Sequence, residues 1–451
     1  MESSSLESSL SDCQNAKSDL NFENLKVMKN LTFDSSDGLK IFYDIYEPNF
    51  TDSIESKNVI IQIAHGMVEH KERYTWLCSN LANRGYIVGI NDHRGHGKSV
   101  DSTHFWGEMV GSNSSSRMQS SRELDSHFVD ERSSSISSFE STQPANLTHD
   151  TRITTKQYSQ NTNSKSKPAR VNPAEASLGD FVGCQGSGDG SLLDIKTQAT
   201  TADSRKSVKK ATQGNDGFMK AIDDMFSLTQ ILKQKYKNKK FVLLGHSMGS
   251  LLSRGYLKMY GENLDALILS GSPANNPLLK VGIALAKMLK FLKLESKGKE
   301  IINNLSFGGF NKPFANPSKD NIHSSGPCAW ICRDKAIVDA YLADKACQFI
   351  FSLDSFIALF RGTLWVQTPL DSNSVLQDSN RVKPPILILS GESDACGNFG
   401  KGVKIIAQNF ESSGFKVTLK LYPNARHEIF NEINKEEILN DLLLWLKNNG
   451  L

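Results

Sequence analysis

The 451-residue sequence is poor in several things, and each absence excludes something. No run of 18 or more apolar residues occurs, so a membrane-spanning helix is not expected. The first ten residues, MESSSLESSL, have neither a basic start nor an apolar segment, so no secretory leader is expected. Residue 2 is Glu, not the glycine that myristoylation requires. The expectation is an intracellular protein, soluble or peripherally associated with a membrane. The net charge of +3 is not the balance of a nucleic-acid binder. The seven cysteines are odd in number and spread over a long chain, which argues against a disulfide framework. Cys328 and Cys332 read as free thiols, because no nearby Cys or His cluster completes a zinc site. His65 and His70 are two histidines without a third, so no metal is expected, and no motif implies a cofactor.

Apolar residues make up 38 % of the chain, enough for a large core, so a polar excess must be lodged somewhere. It lies mainly in residues 101–214, rich in Ser, Thr, Asp, Gln and Asn with no sustained helical or strand period, which reads as a disordered insertion. Residues 1–22 read as a disordered tail. The remainder divides into core segments at 23–100, 215–272 and 371–451, with a cap or lid at 273–370. Val27 to Pro48 holds two alternating runs around Ser35-Ser36-Asp37-Gly38, the pattern of a β-hairpin. Apolar strand-like runs follow Asn58, Tyr86, Lys240, Asp265, Pro385 and Lys416. Helical periods cover Asp216 to Tyr236, Met248 to Tyr260, Lys401 to Phe410 and Glu436 to Asn448. Strands alternating with helices predict an α/β fold, a mostly parallel central sheet covered on both faces.

Directly behind the run FVLL stands Gly245-His-Ser-Met-Gly249. A serine on a sharp strand-to-helix turn projects its hydroxyl above the sheet, and flanking glycines relieve the crowding. The N-terminus of the next helix favours negative charge, and the Met248 N–H is placed to donate to an oxyanion. A serine hydroxyl needs a base held by an acid. Asp394 lies after ILILSGES and His427 after the last strand run, in the order Ser, Asp, His. Glu392 is the rival acid, and Asp394 is favoured because it lies further beyond the strand end.

These motifs, together with His65-Gly-Met-Val-Glu-His70, Arg73-Tyr74, Asp92-His-Arg-Gly-His-Gly-Lys-Ser99 and Ile331-CRDKAIVDAYLADKACQF, give the chain a family resemblance. It resembles the monoacylglycerol lipase and lysophospholipase family of α/β-hydrolases, a serine aminopeptidase-like group, over about residues 23–100 and 215–450. The resemblance implies an α/β-hydrolase fold with Ser247 as nucleophile, His427 as base, Asp394 as its orienting acid, and Met67 and Met248 as oxyanion-hole amides. It implies that Asp92 to Ser99 is structural, with Asp92 and Arg94 available for buried pairing. His93 and His96 read as loop residues, and His246 as a packing residue directed away from the nucleophile.

Within the expected cap, Leu279 to Leu294 places Val281, Ala284, Leu285, Met288, Leu289 and Leu292 on one face, with Lys280, Lys287, Lys290 and Lys293 towards the other. That face suits either the enzyme core or a lipid surface. Phe356, Phe360 and Trp365 read as core or as the wall of an acyl tunnel. The leading functional expectation is hydrolysis of a single-chain acyl ester, a monoacylglycerol or a lysophospholipid. A small-ester carboxylesterase, an aminopeptidase-like amidase and a non-catalytic lipid binder are the alternatives.

Overall fold

The structure, a computed structural model, describes residues 25–48, 57–111, 216–316, 324–369 and 382–451. All of them lie in one compact unit built from Met1–Ser121 and Thr201–Leu451. The N-terminal tail and nearly all of the expected insertion lie outside the described residues.

Eight strands form one sheet in the order β1-β2-β4-β3-β5-β6-β7-β8. Strands β1 (Leu25–Asp34) and β2 (Lys40–Pro48) are the antiparallel hairpin, and β2 also pairs antiparallel with β4 (Ile87–Asn91). From β4 onward every pairing is parallel, through β3 (Val59–Ala64), β5 (Lys240–His246), β6 (Ala266–Ser270), β7 (Ile386–Gly391) and β8 (Val417–Tyr422). The central strands β3, β4, β6 and β7 are buried at every position, as a sheet covered on both faces requires. Helices α1 (Thr75–Ala82) and α9 (Lys435–Asn448) contribute Leu77, Leu81, Leu439 and Leu442 to the core on one face. Helices α2 (Gly217–Lys235), α3 (Met248–Tyr260) and α8 (Lys401–Ser412) contribute Phe218, Leu252 and Ile406 to the other. The fold is that of an α/β-hydrolase.

Between β6 and β7 the chain forms α4 (Leu279–Phe291), α5 (Glu295–Phe307), α6 (Lys335–Ala343) and α7 (Leu353–Gln367). The apolar face read for α4 does not stay together. Of its residues only Leu289 is buried and Leu285 is half-buried, whereas Val281, Ala284, Met288 and Leu292 are exposed; the buried Ala286 lies outside the face as read. Leu292 is the residue that ends the helix, outside its regular turns.

The polar insertion begins later than its composition suggests. Residues 101–111 form a packed loop: Asp101 N–H donates to the His104 carbonyl, Gly107 N–H to that of Gly95, and Met109 N–H to Ser355 Oγ. Met109 is fully buried. A Cβ added to Gly217 would lie 2.6 Å from the Met109 carbonyl oxygen, so the chain leaves and re-enters the core at one spot.

The loop after β4 is held by charge. Arg94, fully buried, binds Asp224 of α2 at 2.8 Å, Asp37 of the hairpin turn at 2.9 Å and Ser35 Oγ at 2.7 Å. Asp92 accepts from the Lys71 and Lys98 amides at 2.8 and 3.0 Å. All three acids are structural partners of the loop.

Candidate active site

Strand β5 ends at His246 and α3 begins at Met248, leaving Ser247 to make the whole turn. Its backbone sits at φ +52° and ψ −117°, outside the regions a serine prefers, at a cost of about 1–3 kcal/mol. The neighbours hold it there. Ser247 N–H donates to the Ser270 carbonyl at 2.9 Å, and the Ser247 carbonyl accepts from Ser250 N–H and Oγ. Tight packing beneath the turn demands glycine: a Cβ on Gly249 would lie 2.1 Å from the Ala64 carbonyl oxygen of β3.

The β3 exit loop lies directly beside this serine. A Cβ on Gly66 would meet Ser247 Cβ at 3.1 Å. Glu69 pins the loop, accepting from the Gly66 amide and from Tyr74 Oη. Among the described residues, neither the Met67 nor the Met248 amide has a hydrogen-bond acceptor. Both residues line the same cavity as Ser247.

Asp394 and His427 come from the loops after β7 and β8. His427 Nδ1 lies 3.0 and 3.1 Å from the two Asp394 carboxylate oxygens, which assigns the proton to Nδ1 and leaves Nε2 as the basic nitrogen. Both residues are buried. Burial opposes a charged imidazolium, but the Asp394 carboxylate outweighs it and holds the His427 pKa above its ordinary value. Ser247 and His427 line one cavity, without a hydrogen bond between them. Glu392, the rival acid, is not part of this pair.

A buried ion bridge joins the two loops. Arg73 donates to both Glu428 oxygens at 2.8 and 2.7 Å and lies 3.5 Å from Glu69. It thus ties the Gly66–Met67 loop to the residue next to His427. Burial raises the Glu428 pKa, but Arg73 overcomes this and holds the carboxyl below its ordinary range. For Glu69 burial prevails over Arg73 and the pKa is raised. The sequence displays Arg73 and Glu428 but no local pattern pairs residues 355 apart.

Two aromatic neighbours of His427 were not legible as such. Trp330, from the segment returning from the cap, places its ring 4.8 Å from that of His427. Its carbonyl also accepts from the His427 amide. The His246 ring likewise lies 4.8 Å from His427 and lines the cavity over Ser247, so His246, expected to be a packing residue directed away from the nucleophile, stands within the site. Strand alternation alone does not decide this position, because β5 ends there and the chain turns. Burial and the His427 ring push the His246 pKa down to about 3, so it is neutral.

The other histidines are placed as follows. His65 Nδ1 donates to the Gly66 carbonyl at 2.8 Å and Nε2 accepts from the His93 amide at 2.9 Å. His93 and His96 are buried in the loop after β4, and burial drives their pKa values down to about 3 and about 4. Among the described residues, one group of three potential metal ligands stands together: His70, Asp344 and Cys347, their ligand atoms within 4.8 Å of one another. His70 Nε2 is bonded to Asp344 there at 2.7 Å.

The cavity over Ser247 has a volume of about 900 Å³, at the large end for small-molecule sites. Away from Ser247, His427 and Glu69 its lining is mainly apolar, including Leu251, Leu285, Phe307, Phe310 and Phe360. Phe360 is therefore cavity wall. Phe356 is buried in the core and Trp365 packs against Gly255 of α3.

Residues 55–121 and 208–434 match the family described as serine aminopeptidase, S33. The chain belongs to this hydrolase family. Among curated members of similar sequence, the monoacylglycerol lipase of Mycolicibacterium smegmatis is 25% identical over 225 residues, 50% of this chain and 68% of that protein. Among solved structures, a thermostable carboxyl esterase from Bacillus coagulans in complex with glycerol superposes with a TM-score of 0.58 at 20% identity, covering 94% of this chain and 99% of that one. A lipase in its open form gives the same TM-score, identity and coverage. At that identity the two structures speak for the fold alone. No helix among the described residues is long and apolar enough to cross a membrane.

Proposed function

We propose that the chain is a serine hydrolase that cleaves the acyl ester of a single-chain lipid, a monoacylglycerol or a lysophospholipid. The observation that carries this reading is the meeting of a strained Ser247, an Asp394-bound His427 and a large apolar cavity. In the reaction, Ser247 Oγ attacks the ester carbonyl carbon while His427 Nε2 takes its proton. The carbonyl oxygen becomes an oxyanion facing the Met67 and Met248 amides, at the N-terminus of α3. Collapse breaks the ester C–O bond, His427 returns its proton to the departing alcohol, and an acyl-Ser247 ester remains. A water molecule, deprotonated by His427, attacks the acyl carbon; the bond to Ser247 Oγ breaks, His427 returns the proton to Oγ, and the fatty acid leaves. Asp394 holds the imidazole in the tautomer that leaves Nε2 free and stabilises its charged form.

The relative named monoacylglycerol lipase supports the lipid half of the reading, and so does the apolar cavity. The cap supports contact with a lipid surface. Phe291 and Leu305 are 85 % and 70 % exposed, with Leu278, Val281 and Met288 also exposed and Lys280, Lys287 and Lys293 beside them. Exposed apolar patches rimmed by cations suit an anionic bilayer interface.

The test is hydrolysis of a monoacylglycerol and a lysophosphatidylcholine of equal chain length by wild type and Ser247→Ala. Cleavage of one or both by wild type only supports the proposal, and cleavage of one alone identifies the headgroup. Cleavage of a short p-nitrophenyl ester alone would reassign the enzyme to small esters. Equal activity of the two proteins would overturn the nucleophile.

A further inference from the structure

A second cavity, of about 280 Å³, lies between α3, the C-terminal end of α7 and α8, and shares no lining residue with the first. Leu257, Val366, Ile406 and Phe410 give it apolar walls, and Asn409 and Ser413 add polar ones. Arg254 of α3 also lines it and is only 5 % exposed. One guanidinium nitrogen, Nη2, donates to the Val366 carbonyl at 3.2 Å, while Nε and Nη1 are buried without an acceptor. No carboxylate among the described residues pairs with it. Burial alone lowers its pKa to about 10, which leaves the group charged at neutral pH. A buried charge without a counter-ion is costly, and native proteins rarely retain one. The cavity's other cation is already satisfied: Lys258 Nζ donates to the Trp365 and Thr368 carbonyls at 2.9 and 2.7 Å and to Thr368 Oγ1 at 2.8 Å.

We propose that this cavity is a binding site for a carboxylate ligand carrying a short apolar group. The buried guanidinium of Arg254 calls for an anion, and the apolar walls favour a carboxylate with a hydrocarbon part over a fully hydrated phosphate ion. Guanidinium–carboxylate pairing is the strongest way to satisfy free guanidinium donors. The apolar walls receive the remainder of the ligand, and the volume, just under the usual range for ligand pockets, restricts it to a small one. The site is distinct from the hydrolase site, since the two cavities have no lining residue in common.

The experiment uses the full chain and hexanoate as probe, with hexanol and inorganic phosphate as comparisons. Hexanoate is expected to raise the thermal unfolding midpoint of wild type in proportion to its logarithmic concentration, as a ligand selective for the native state must. Hexanol and phosphate are expected to have no such effect. Arg254→Met is expected to unfold, ligand-free, at or above the wild-type temperature, because an unpaired charge has been removed, and to bind hexanoate roughly ten- to hundredfold more weakly. An undiminished response in Arg254→Met would overturn the assignment, by placing the binding in the catalytic cavity. A response to phosphate but not hexanoate would overturn the carboxylate class. Should Arg254→Met fail to fold, wild-type crystals grown with 6-bromohexanoate decide the matter. A bromine anomalous peak between α3, α7 and α8 supports the site. A side-chain carboxylate of the protein itself on Arg254, or a peak only over Ser247, overturns it.

Discussion

Replacing Gly249 by alanine tests the architecture beneath Ser247. The new Cβ would lie 2.1 Å from the Ala64 carbonyl oxygen and 2.6 Å from that of His65, both backbone atoms. Real Cβ contacts do not fall below 3.0 Å, so α3 and the end of β3 must separate by about 0.9 Å, the difference between 3.0 and 2.1. Forcing a methyl into packed surroundings costs about 1–3 kcal/mol. The consequence for catalysis is larger than for stability. The moved segment leads into Gly66 and Met67, and α3 carries Met248, so the two amides proposed to hold the oxyanion separate together with their elements. Misplacement on the order of 1 Å costs about a hundredfold in rate. Turnover of a short p-nitrophenyl ester should therefore fall about a hundredfold, with a measurable drop in the urea midpoint. Gly309→Ala, where nothing lies within 4 Å of the added methyl, should change neither. A Gly249→Ala enzyme within a few-fold of wild-type turnover would refute the reasoning.

Other predictions follow from the same geometry. The rate–pH profile of ester cleavage should lose activity as pH falls through the pKa of His427. Because Asp394 holds that pKa above its ordinary value of about 6.5, the acid limb should lie above 6.5. By linkage, the same pair stabilises the fold fully below the unfolded His pKa, and this contribution is lost as pH rises through the folded one. Asp394→Asn should remove that pH-dependent stability term, measurable by unfolding at pH 6 and pH 9. Arg73→Met leaves Glu69 and Glu428 buried without their cation and should destabilise the protein by about 3–5 kcal/mol in urea titrations. Phe291→Ser with Met288→Ser should weaken co-sedimentation with anionic vesicles while leaving hydrolysis of a water-soluble ester unchanged, since both side chains face solvent and neither lines the cavity over Ser247.

The strands of the parallel sheet were legible because each is a short apolar run closed by a turn, and buried strands can be little else. The order of Ser247, Asp394 and His427 was legible because each follows a strand run. Helix α1 escaped notice: Leu77 through Ala82 are all buried, polar Ser79 and Asn80 included, so its polar and apolar positions follow no helical period. The apolar pattern of α4 did not decide which side packs: of the face read, only Leu289 is buried, while Val281, Ala284, Met288 and Leu292 are exposed and the buried Ala286 lies outside it. The start of the insertion was placed too early because composition does not register backbone anchoring. Residues 101–111 are polar yet fixed by hydrogen bonds to distant partners such as Ser355. The Arg73 bridge and the Trp330 ring lie wholly beyond local pattern, since their partners meet only in the folded chain.

The central claim is that Ser247 is a nucleophile activated by His427. The most direct measurement is peptide mass spectrometry of the full chain after reaction with a fluorophosphonate. The account predicts one covalent adduct, on Ser247, absent from Ser247→Ala and strongly slowed in His427→Ala. An unmodified Ser247 in folded wild type, or an adduct that persists in Ser247→Ala, would contradict it.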